Sequence, residues 1–130
     1  MMMSGKIDEG LSIADEGLKN WPNSIELLET KANGLATKAS FAVYPKSGEN
    51  CFSDSEDARQ FAESALGLFH KIIELEPRRV QAFTSRSNIL FMLGYRDRAF
   101  ADIEKAVEYA DPTSDPIIYQ MAKQMHEEMK

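Results

Sequence analysis

Residues 76–112 read EPRRVQAFTSRSNILFMLGYRDRAFADIEKAVEYADP. Phe83, Leu90 and Leu93 recur at helical spacing, with Ile89 and Met92 beside them. That spacing lays an apolar stripe along one side of a helix over residues 80–93. Gly94 stops it, because glycine enters the left-handed conformation at little steric cost. A second helix restarts near Arg96, with Ala99, Phe100, Ile103, Ala106, Val107 and Ala110 as its stripe. The small alanines let two helix axes approach closely. Asp111-Pro112 ends it, since a residue before proline is pushed out of the helical region. The stretch is predicted to be an antiparallel helical hairpin.

Worn copies of the hairpin occupy the rest of the chain. Pro22 and Pro77 stand 55 residues apart, and at that offset Leu28 matches Phe83, Asn33 matches Asn88, and Leu35 matches Leu90. Before the prolines, Leu11 matches Leu66, Ala14 matches Phe69, and Leu18 matches Ile73. The last two second helices match at offset 34, pairing Ala65 with Ala99, Leu66 with Phe100, and Phe69 with Ile103. The longer offset implies an insertion in the middle unit.

The unit resembles a tetratricopeptide repeat, a helix–turn–helix of about 34 residues with aromatic, small and proline signature positions. Phe83 stands at the family's first-helix aromatic, Leu90 at its later large apolar position, and Gly94-Tyr95 in its turn. Ala99, Ile103 and Ala106 match its small–large–small set, and Pro112 falls one residue past its closing proline. Arg86 and Ser87 depart from the pattern, replacing leucine and a glycine or alanine. A buried arginine is costly, so Arg86 is expected to snorkel or to pair with a carboxylate. The resemblance implies an all-α, right-handed superhelix of about six helices, with each hairpin's first helix lining the concave side. The expected map is one domain: a half repeat over 4–22, a repeat over 24–77 with an insertion at 40–54, a repeat over 79–112, and a capping helix over 115–129.

Several local expectations follow. Ser4 is placed to cap the first helix, whose stripe is Ile7, Leu11, Ala14 and Leu18; Gly10 and Gly17 resemble close-packing positions. Trp21 is expected to plug the core between helix ends. Asn23 or Ser24 caps the next helix. In the insertion, Phe41, Val43, Tyr44 and Phe52 either patch the core edge or form a flap beside the groove. Ser53 to Glu56 has capping-box spacing. His70 is read as a surface or boundary residue. Thr113 or Ser114 caps the last helix, whose apolar face is Ile117, Ile118, Met121, Ala122 and Met125.

Composition narrows the function. The net charge of −6 disfavours nucleic-acid phosphates and anionic membranes. One cysteine, Cys51, excludes an intramolecular disulfide and fits a reducing compartment. No stretch resembles a signal peptide or a membrane span, so a cytoplasmic protein is expected. No phosphate loop, paired-cysteine metal spacing or catalytic constellation is present, so neither catalysis nor a cofactor is expected. The carboxylate pairs Asp97/Asp102 and Glu26/Glu29 read as solvated surface.

What remains is a surface for a protein or peptide partner. The resemblance places Glu29, Asn33, Thr37, Thr84, Ser85, Asn88, Met92 and Tyr119 along the groove, with Glu26, Thr30, Gln81 and His126 near them. Asn33 and Asn88 fall in register, and an amide offers both a donor and an acceptor to an extended backbone. Some family members clamp a peptide's carboxyl end with cations; here Glu29 takes such a place. Two alternatives stay open: a small acidic chaperone for a single client, and a homodimer built through the first or last helix.

Overall fold

A computed structural model describes residues 2–44, 50–113 and 116–129. Helix is the only regular secondary structure among these residues, as the periodicity predicts. Six α-helices run in order: α1 Met2–Asn20, α2 Ile25–Ala42, α3 Glu56–Leu75, α4 Val80–Met92, α5 Arg96–Tyr109 and α6 Pro116–Met129. A short 3-10 helix, Cys51–Asp54, precedes α3.

The helix ends follow local chemistry. Ser24 caps α2, its hydroxyl accepting from the Leu27 N–H at 3.4 Å. Ser55 caps α3 by accepting from the Ala58 N–H at 3.3 Å. Ser53, expected in that role, instead lies in the 3-10 helix and donates to the Asn50 carbonyl at 2.8 Å. The cause is burial: Cys51 and Phe52 turn into the core, so α3 starts only after them. The Glu56 carboxyl in the first turn of α3 is held below its ordinary pKa by hydrogen bonds from Gln60 and Arg59 and by the charge of Arg59. Ser4 lies inside α1, which begins at Met2, rather than before it. The Thr113 N–H donates to the Asp111 carboxylate at 2.8 Å, forming a turn rather than a cap; Ser114 lies outside the described residues. Proline at the start of α6 lacks the N–H that a first helical residue leaves unused.

Neighbouring helices pack in chain order, with α2 on α3 and α4 on α5 the most extensive pairs. One apolar cluster joins Leu28, Ala32 and Ala39 of α2 to Ala62, Phe69 and Ile72 of α3 and to Ala82 and Ile89 of α4. A second joins Phe83 and Leu90 of α4 to Ala99, Ile103 and Ala106 of α5 and to Ala122 of α6. Leu66 and Ile73 of α3 pack against both. In the α1–α2 seam, a Cβ on Gly17 would sit 2.7 Å from the Leu27 side chain, so Gly17 is a close-packing position. Gly10 has nothing within 4 Å and is not one.

Trp21 does not plug the core; it is 64% exposed. α1 packs chiefly against α2, so a side chain leaving that seam meets solvent. The insertion divides. Cys51 and Phe52 are each only 1% exposed and belong to the first cluster, whereas Phe41 and Tyr44 face solvent. Residues 45–49 lie outside the described residues. Asn50, at a left-handed φ of 71°, lays its side chain across the α4–α5 turn. There Gly94 has a φ of 91°, and a Cβ on it would fall 1.8 Å from the Asn50 Oδ1.

Gly94 therefore meets two constraints, a left-handed backbone and a capped turn. Gly94→Ala is expected to cost at least about 1–2 kcal/mol from the backbone alone, read as a lower urea midpoint with an unchanged slope. Phe52→Ala should cost about 3–5 kcal/mol; a loss below about 1 kcal/mol would mean that the insertion does not complete the core.

Candidate functional site

The polar ridge of α2 consists of Glu26, Thr30, Asn33 and Thr37, all exposed. Two of its hydroxyls are engaged within the helix. Thr30 donates to the Glu26 carbonyl and Thr37 to the Asn33 carbonyl, each at 2.8 Å. On α4, Gln81 and Asn88 are exposed while Thr84 and Ser85 are half-buried. Thr84 donates to the Gln81 carbonyl at 2.9 Å. Among the described residues, neither the Asn33 nor the Asn88 amide hydrogen-bonds to another side chain or to the backbone. Both residues are exposed, so their amides are open to solvent.

The remaining predicted positions scatter. Met92 is half-buried and packs against the first apolar cluster. Tyr119 is half-buried, with the Lys123 ammonium of its own helix 5.7 Å from its ring centre. His126 stacks on Phe100 of α5 at 4.8 Å between ring centres.

Glu29 is held by an ion pair. Arg79, just before α4, donates from Nε at 2.9 Å and from Nη2 at 2.7 Å to the two Glu29 oxygens. Its Nη1 donates to Glu76 at 2.9 Å. This fork links α2 to the start of α4. The hydrogen bond to Glu29 is the main reason that the Arg79 guanidinium holds its proton even more tightly than an ordinary arginine; burial opposes it and Glu76 adds to it.

A second fork lies inside the last hairpin. Arg86 Nε and Nη2 each donate to Asp102 at 2.7 Å. Arg86 thus pairs with a carboxylate, one of the two outcomes its departure from the repeat pattern predicts. Asp102 is not solvated surface, being only 7% exposed. Periodicity alone misplaced it, because it lies beside the buried Ile103 on the α4-facing side of α5. Next to this pair, Ser87 is fully buried and donates to the Ala99 carbonyl at 2.7 Å, so its hydroxyl is satisfied where the repeat pattern has a smaller residue.

The three arginines on and just before α4 are therefore largely occupied. Arg79 and Arg86 are forked onto carboxylates, and the Arg78 guanidinium lies over the Tyr109 ring at 5.4 Å. Arg78 and Arg79 border an open cleft of about 660 Å³ where α3 meets α4, and Tyr109 of α5 closes it on one side. A smaller cleft between α4 and α6 brings Asn88 together with Phe91, Met125 and Glu128. Phe91 and Glu128 were not apparent as site residues, because the pairing of α4 with α6 joins positions far apart in the chain. Among the described residues, no group of three or more histidine, cysteine or acidic side chains is arranged to hold a metal ion. No helix among them is long and apolar enough to cross a membrane.

No protein-family model matches this chain. A search of curated proteins likewise finds no match. The functional reading therefore rests on the residues themselves.

The Arg86–Asp102 fork yields a stability prediction. Asp102→Ala strands a largely buried guanidinium and should cost about 3 kcal/mol. Replacing both partners, as Arg86→Met with Asp102→Leu, should cost less than either single change. A double variant that loses the sum of the singles in urea unfolding would refute the coupling.

Proposed function

We propose that this chain is a tetratricopeptide-like stack of helical hairpins acting as a non-catalytic interaction module. Its partner is a protein or peptide segment lying along α2 and α4. The observation that carries this reading is the pair of exposed amides, Asn33 and Asn88, unpartnered among the described residues, on two helices that Arg79 ties together. An asparagine amide donates and accepts at once, which suits the alternating N–H and C=O groups of an extended backbone. Support for a repeat stack comes from the chain-order packing of the hairpins, the alanine-rich seams and the left-handed Gly94 turn. The internal neutralisation of Arg79 and Arg86 argues against a clamp for a terminal carboxylate. The acidic net charge and the absence of a membrane-spanning helix among the described residues are compatible with a cytoplasmic setting.

Exposed apolar side chains on the end helices favour a second reading, self-association. Ile13 is 64% exposed on α1, and Ile117 and Met121 are 75% and 59% exposed on α6. Trp21, at the end of α1, is the sole tryptophan, so its fluorescence reports any such burial.

Capture from host lysate with the wild-type chain and with Asn33→Ala/Asn88→Ala separates these readings. A partner lost in the double variant, with unchanged helical circular dichroism, is the expected result. A partner retained by the double variant would move the site elsewhere. A concentration-dependent mass accompanied by a blue shift of Trp21 emission would favour the homodimer.

A further inference from the structure

The cleft between α4 and α6 has a volume of about 140 Å³ and is lined by Asn88, Phe91, Met125 and Glu128. That is several times the room one water needs, the scale of a single side chain. Phe91 and Met125 are half-buried against the second apolar cluster and form an apolar floor. Asn88 and Glu128 are exposed at the rim. The Glu128 carboxylate accepts from the Gln124 amide at 3.3 Å, and no cation pairs with it among the described residues. That separates it from Glu29 and Asp102, which arginine forks neutralise.

An apolar floor with an anionic rim matches a side chain with an aliphatic stem and a cationic tip. The net charge of −6 steers such a group toward the protein. Resting on the groove reading above, we infer that this cleft takes a lysine or arginine side chain of the bound segment. The Asn88 amide then holds the segment's main chain, and Glu128 pairs with the cationic tip.

A phage-displayed library of random dodecapeptides, selected on the intact chain, tests this. The expected outcome is a consensus with lysine or arginine at one aligned position. A synthetic peptide of that consensus should lose at least tenfold in affinity when its basic residue becomes norleucine, and again on Glu128→Lys. Glu63→Lys, the same charge change on an exposed part of α3, should leave affinity within about twofold. Circular dichroism checks that each variant remains folded. An apolar anchor, or a basic one insensitive to Glu128→Lys, would overturn the inference while leaving the groove reading intact if Asn33→Ala/Asn88→Ala still abolished binding. Failure to enrich any peptide, or a consensus indifferent to the asparagines, would overturn both.

Discussion

Leu66 and Ile73 of α3 touch both apolar clusters, and the arrangement of the other helices depends on that double contact. On one side α3 buries Ala58, Ala62, Ala65, Phe69 and Ile72, mostly small residues that let α2 approach closely. On the other it supports the α4–α5 hairpin. A helix that serves two cores cannot shift toward one without opening the other. Close-packed interiors transmit such displacements rather than absorb them. The spacing of α2 and α4, and hence of the polar ridges proposed as a binding surface, is fixed from beneath by α3. Arg79 fixes it from the side.

The two arginine forks serve different purposes. Arg86–Asp102 lies within one hairpin and penalises any slip of α5 along α4, since a slip would leave two largely desolvated charges unmatched. Arg79–Glu29 lies between hairpins and is more open to solvent, so it orients more than it stabilises. Both consume cations that would otherwise attract acidic groups. Among the described residues, the cleft between α4 and α6 keeps a carboxylate without a cationic partner.

Much of the fold was legible in the sequence because helical periodicity, glycine and proline act locally. The order of the helices and the left-handed Gly94 follow from short-range rules. The failures lie where distant residues decide. Trp21 is large and apolar, yet its fate depends on what stands beside α1. Asp102 looks like an ordinary surface acid until Arg86, sixteen residues earlier, is brought against it. Ser53 has capping-box spacing, but the burial of Phe52 claims its segment first. The candidate site was half legible. Asn33 and Asn88 emerged from the repeat offset, whereas Phe91 and Glu128 meet only through the pairing of α4 with α6.

Cys51, the only cysteine, is 1% exposed within the first apolar cluster. A thiol reagent in solution must wait for the 3-10 segment to lift out before it can react. When reclosing is fast, the labelling rate tracks the population of that open form, and at high reagent it approaches the opening rate itself. The native sequence thus contains a chemical stopwatch for the departure of its insertion from the core, readable without adding any probe to the chain.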